Sequence, residues 1–245
     1  MGITERKERE REQRRNLIIN AAEKIFFKKG LENSTMDDVA IEAELSKGTL
    51  YLYFKSKEDI QLAIAIRGSD ILKEMMRKRL SNNKTGYENL LELAEISIDF
   101  SGKHKHYYEF FLFLQIARFD KLNIDESRIR KYLIEQSPLT IVHECVVKGI
   151  TDKSLRSDIP ADIFAATLWS QLLGVLIVIN YKKNIYRMFG LDAEDIIKTH
   201  LELVSAGGKS PQVRKASSPR ALKTTSPRES KSTSLRVRKS SRKEK

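Results

Sequence analysis

Apolar residues recur at steps of three and four along most of the chain, and short polar stretches interrupt them. Leu17, Ile18, Ala21, Ala22, Ile25 and Phe26 fall on one face of a helix over about 16–29, with Gly30 placed to end it. Two very short helices and the start of a third then fit into 35–59. Thr35 with Asp38, and Ser56 with Asp59, have the spacing in which a hydroxyl takes an orphan amide and an acid reaches back; Ser46 is a further N-cap. Only Ala43, Glu44 and Leu45 separate the first two short helices, so they must meet at a tight corner. Helices this short need tertiary support. Val39, Ala40, Leu45, Leu50 and Phe54 are the residues expected to turn inward beneath the first helix.

Beyond this unit the periodicity predicts helices over 57–81, 86–101, 106–119, 125–148, 160–182 and 192–204. There is no strand alternation, no glycine-rich phosphate loop and no repeat of solenoid period. The expected fold class is all-α.

Turning the apolar residues inward leaves Lys47, Thr49, Tyr51 and Tyr53 on the outside of the second short helix, with Gly48 opening the backbone to close approach. Cations, hydroxyls and phenols suit a DNA major groove, about 12 Å wide, which admits a helix whose side chains read base edges while amides and hydroxyls hold phosphates. Lys47 could reach guanine and the Thr49 methyl a thymine methyl, while Thr35, Tyr51 and Tyr53 could donate to phosphates and Ser46 caps the helix; packing in the core is the alternative for Tyr51 and Tyr53. Lys57 would sit at a helix N-terminus where an anion is already favoured. Asp37, on the outer face of the first short helix, would repel phosphate unless it accepts from cytosine or sits over Lys47.

Gly30, Thr35, Val39, Ala40, Ala43, Ser46, Gly48, Leu50, Tyr51, Tyr53, Phe54, Lys57, Glu58 and Asp59 stand at a spacing that resembles the TetR family of transcriptional regulators. The resemblance covers about 15–62. It implies an all-α homodimer on double-stranded DNA, the helix from Ser46 in the major groove, and a larger C-terminal part that dimerises and usually holds an inducer. With composition and charge added, the expected organisation is a charged arm over 1–14, the helix-turn-helix domain over 15–62, a helical ligand-binding and dimerisation domain over 63–204, and a disordered basic tail over 205–245. Glu44 departs from the family, which often has glycine in that turn.

Charge sharpens this reading once it is divided. The 245 residues carry 45 basic and 33 acidic side chains, a net +12, but 205–245 alone holds 13 basic and 2 acidic ones. The body is therefore about +1, and its DNA affinity must come from local placement at Arg14, Arg15, Lys47, Lys55 and Lys57. The arm over 5–15 alternates signs, as a solvated helix extension or a groove-binding arm would. The tail, with its Ser218-Pro219-Arg220 and Ser226-Pro227-Arg228 units, cannot bury enough surface to order itself, and either adds unspecific phosphate contacts or only solubilises.

Ile163, Phe164, Thr167, Leu168, Gln171, Leu172, Val175, Leu176 and Ile179 form a stripe broad enough to meet both a core and a partner, and Gly174 would permit close packing. Ile196, Ile197, Leu201 and Val204 add a second helix. From these, Phe164, Leu168, Leu172, Val175, Leu176, Ile197 and Leu201 are the expected dimer interface. His106 to Phe119 carries aromatics on more than one side, which suggests a pocket walled by Phe111 and Trp169, with Tyr108, Gln115, Arg118 and His143 as polar anchors. Its ligand would be a small hydrophobic or acyl-type inducer, and plain bundle core is the alternative for each of these residues.

Enzyme chemistry finds no footing: no nucleophile has a paired base, His104 and His106 lack a third metal ligand, and no cofactor is implied. The lone Cys145 sits among apolar neighbours and suggests a reducing compartment. A densely charged N-terminus and an apolar run of only 172–179 argue against a signal peptide and a membrane span, so a cytoplasmic, nucleoid-associated location is expected. Two functions follow: a DNA-binding regulator, read as a repressor released by its inducer from a palindromic operator, or a non-specific architectural protein acting through the tail.

Overall fold

In a computed structural model, which describes residues 2–118, 123, 124 and 126–210, the chain is built from helices, and the only β pairing among the described residues is an isolated bridge between Leu155 and Lys209. The helices are α1 (Ile3–Lys29), α2 (Met36–Glu42), α3 (Lys47–Tyr51), α4 (Lys57–Arg79), α5 (Gly86–Lys103), α6 (Lys105–Ile116), α7 (Glu126–Lys131), α8 (Leu139–Thr151), α9 (Ala161–Tyr181), α10 (Lys183–Met188) and α11 (Ala193–Gly208). The charged arm is helical and continuous with α1, aided by i,i+4 pairs such as Arg6 with Glu10 at 3.6 Å.

Two apolar cores share α4 and α6. Ile18, Phe26, Val39, Leu50, Phe54 and Ile60 belong to the N-terminal core, while Leu72, Met76, Phe100, Val142, Trp169 and Leu176 belong to the C-terminal one. Along α6, Phe110 and Leu114 enter the first core and Tyr108 and Phe111 the second. The aromatics on several sides of α6 thus belong to a helix held between two cores. Ile129 and Tyr132, from α7 and the π-helical turn that follows it, also enter the N-terminal core.

The helix expected over 125–148 is two helices. Proline disfavours helical backbone in the residue before it, and Ser137 is accordingly extended (φ −67°, ψ 138°), with Pro138 opening α8. The expected tail boundary at 205 also moves. α11 continues to Gly208, and Ser210 is fastened to the end of α8 by Oγ donating to the Lys153 carbonyl at 2.7 Å. The remaining tail, from 211 with its Ser-Pro-Arg units, lies outside the described residues.

α9 is the one helix among the described residues long and apolar enough, by length and composition, to cross a membrane. The continuous run 172–179 understated it, because Thr167, Ser170 and Gln171 interrupt the run without ending the helix. Phe164, Trp169, Leu172 and Leu176 of α9 are buried in the C-terminal core, whereas Ile163 stays more than half exposed.

Candidate nucleic-acid interface and ligand cavity

The caps that bound the short helices are present. Thr35 Oγ1 accepts from the Asp38 amide at 3.1 Å, and Asp38 Oδ2 accepts from the Thr35 amide at 2.9 Å. Lys29 also donates to Asp38 at 2.9 Å; this bond first, and then those from Thr35, lower the Asp38 pKa to about 2. Ser46 Oγ accepts from the Thr49 amide at 3.1 Å and lies 2.8 Å from Thr49 Oγ1, so both hydroxyls are occupied in starting α3. Ser56 accepts from the Asp59 amide at 3.2 Å, but Asp59 reaches back to the Lys55 amide, at 3.0 Å, rather than to Ser56.

The corner between α2 and α3 closes as a Schellman turn: the Leu45 amide donates to the Ala40 carbonyl at 2.9 Å and the Glu44 amide to Ile41 at 3.0 Å. Glu44 occupies the left-handed position with φ 54°.

On α3, Leu50 is fully buried and Lys47, Gly48 and Tyr51 are exposed. A side chain added at Gly48 would meet nothing nearer than Ser46 Oγ at 3.9 Å, so its glycine is not demanded by packing and leaves room for a backbone contact with a ligand. Lys47 Nζ lies 2.7 Å from Asp37 Oδ1, and that hydrogen bond raises the lysine pKa. Asp37 thus lies beside Lys47, one of the two arrangements that spare the face a lone carboxylate.

Other expected DNA residues are placed differently. Tyr53 is half-buried against the N-terminal core. Lys57 turns inward and donates to the carbonyls of Leu31 and Ser34 at 2.9 and 3.0 Å, tying the α1–α2 loop to α4. Arg15 lies over the Phe54 ring, 5.0 Å from its centroid. Lys55 is exposed.

Residues 18–64 match the family model described as bacterial regulatory proteins, tetR family. The N-terminal domain belongs to that family. The chain is 26% identical over 176 residues to an HTH-type transcriptional regulator of Staphylococcus aureus, an alignment covering 71% of this chain and 92% of the relative. It is 32% identical over 90 residues to the HTH-type transcriptional activator FasR of Mycolicibacterium smegmatis, covering 37% of this chain and 41% of FasR. Among solved structures, the transcriptional regulator FadR from Bacillus subtilis in complex with stearoyl-CoA superposes with a TM-score of 0.58 at 20% identity, covering 78% of this chain and 97% of FadR. The all-α TetR-type fold therefore extends through the C-terminal half, beyond the matched helix-turn-helix domain.

A cavity of about 70 Å³ lies inside that half of the TetR-type chain, between α5, α9 and α11. Leu90, Leu93, Leu168, Leu172, Trp169 and Val204 make it apolar; Tyr87, Ser97, His200 and Ser205 are its polar members. The Tyr87 hydroxyl donates to Ser205 Oγ at 2.9 Å, and burial lowers the His200 pKa. Of the six residues expected to hold a ligand, only Trp169 lines this cavity. Phe111 packs edge-on against Trp169 at 6.1 Å, Tyr108 is buried with its hydroxyl unpartnered, Gln115 and Arg118 are exposed, and His143 is half-buried on α8. The sequence missed the α5–α11 wall because no local pattern says which helices enclose a void.

Among the expected interface residues, Phe164, Leu172 and Leu176 are buried within the subunit, and Leu168, Val175, Ile197 and Leu201 are half-buried. A groove of about 620 Å³ runs along the outer side of α9 and α11, past Thr167, Gln171, Gly174 and Leu203. Burial pushes the Cys145 thiol up to about 11, as befits a packed, unreactive side chain. His106 stacks on Phe27 at 4.7 Å and His104 on Phe100 at 5.4 Å.

Proposed function

We propose that this transcriptional regulator acts as a homodimer on a short palindromic operator, as a repressor that lets go when a small hydrophobic or acyl ligand enters the C-terminal core. The observation that carries the reading is α3: a capped, core-anchored helix with Leu50 fully buried and Lys47, Gly48 and Tyr51 turned to solvent.

Two half-sites one DNA turn apart, about 34 Å, call for two recognition helices in one particle. α11 supports the dimer, since this 16-residue amphipathic helix leaves Leu203 exposed and Ile197, Leu201 and Val204 only half-buried against its own subunit. The groove along α9 and α11 offers one.

The apolar cavity supports a hydrophobic ligand, and FadR of Bacillus subtilis, of the same fold, was solved with stearoyl-CoA. At about 70 Å³ the cavity is well below the 300–1,000 Å³ typical of ligand pockets, so a long acyl chain would have to part α5 from α9 and α11. Such a ligand favours whichever state is already open, and α4 and α6, which belong to both cores, would carry that preference to α3.

Selection of random duplexes by the full chain at near-physiological salt tests the reading. Enrichment of one palindrome, lost on adding a long-chain acyl thioester, is the expected result. Uniform affinity across sequences would instead assign the protein to the architectural class, with binding through the basic tail.

A further inference from the structure

A polar groove of about 590 Å³ runs between the N-terminal half of α1, the middle of α4 and the α7 segment. Five cations line it: Arg11 and Arg15 from α1, Arg67 from α4, and Arg128 and Lys131 from α7. The carboxylates beside them are Glu8, Glu12 and Asp70. Asp70 is held by Lys73 at 2.8 Å, and Glu12 accepts from the Asn16 side-chain Nδ2 at 3.3 Å while standing 3.9 Å from Arg15.

Arg67 is occupied by Asn20, Glu23 and Asn16 at 2.8 to 3.1 Å. Arg15 and Arg128 lie over the same Phe54 ring, at 5.0 and 5.6 Å, with side chains only 19% and 26% exposed. Asp59 accepts from Arg128 Nη1 at 3.2 Å, and this is not the only contact that Arg128 makes. Burial first, and then the charge of Arg128, depress the Arg15 pKa, the mark of like charges crowded in a poorly solvated place. Arg11 and Lys131 make no ion pair among the described residues. A cluster of this kind is relieved by an anion, and planar guanidinium forks match phosphate oxygens.

We propose that this groove binds a phosphate-bearing anion through Arg15, Arg128 and Lys131, with Arg11 at the rim, and that the anion clamps the N-terminal half of α1 to α7. Most of its α1 wall, from Glu8 to Asn16, precedes the residues that match the family model. The phosphate has two sources, a free phosphorylated metabolite or the backbone of bound DNA.

Equilibrium dialysis of the full chain against labelled pyrophosphate, at ionic strength fixed with chloride, tests the site without requiring sequence-specific DNA binding. The basic tail binds pyrophosphate equally in every variant, so differences between variants isolate the groove. The double change Arg11→Gln with Lys131→Gln is expected to weaken the tight phase about tenfold or more, from the loss of two charge-assisted contacts. Glu8→Gln with Glu12→Gln is expected to strengthen it severalfold, a gain that misfolding would not produce. Displacement of the tight phase by a short duplex assigns the phosphate to DNA, whereas retention alongside the duplex assigns it to a free metabolite. Equal binding by all three proteins would overturn the proposal.

Discussion

Glu44 holds a left-handed backbone, φ 54°, at the exposed corner between α2 and α3, where a side chain costs energy that glycine does not. Glu44→Gly is therefore expected to stabilise the chain by about 1 kcal/mol, read as a higher urea midpoint with an unchanged slope. The corner was legible in the sequence because two caps and three intervening residues leave the chain no other path. Lys57 was not legible: its partners, the carbonyls of Leu31 and Ser34, are presented by a loop whose course depends on tertiary packing. The same holds for Arg15, whose apolar seat on Phe54 is a contact across the fold. The pairing of Lys47 with Asp37 could be framed in advance only as one of two possibilities, because helical positions ten apart in sequence meet only through the angle of the corner.

Among the elements, helix content followed from periodicity, and the misread boundaries have local causes. Pro138 divides the helix expected over 125–148, and the alternating charges before Arg15 sustain α1 back to Ile3. The surplus of aromatics on α6 suggested a pocket wall, since periodicity cannot tell a helix that lines a void from one shared by two cores. Close packing of α5 on α8 makes a sharper demand. A Cβ at Gly86 would lie 2.1 Å from the Gly149 amide nitrogen, a backbone atom that cannot swing aside. Gly86→Ala should therefore destabilise the protein by roughly 1–3 kcal/mol, the range for overpacking, measured by thermal or urea unfolding. A neutral result would mean that α5 and α8 do not approach so closely.

Across the whole molecule, two cores joined by α4 and α6 connect the solvent-facing helix α3 to a C-terminal half with an apolar cavity, and the outer sides of α9 and α11 remain uncovered. Gly174 tests whether a second subunit covers them. A Cβ there meets nothing within 4 Å, so Gly174→Arg leaves the subunit intact while placing an unpaired charge at the proposed contact. Sedimentation should show the dimer weakened about a hundredfold or more, with helix content unchanged; an unaltered dimer would move the interface elsewhere.

Base reading by α3 is decided by comparing the wild-type chain with Lys47→Ala on the selected operator, on operators changed one base pair at a time, and on random duplex. If Lys47 reaches a guanine edge, the substitution costs about 1–3 kcal/mol on the operator, relaxes preference at one base pair in each half-site and leaves random-duplex affinity nearly unchanged. An equal loss on operator and random duplex, with every base preference preserved, would mean that α3 does not read bases through Lys47 and would reduce Lys47 to a phosphate contact.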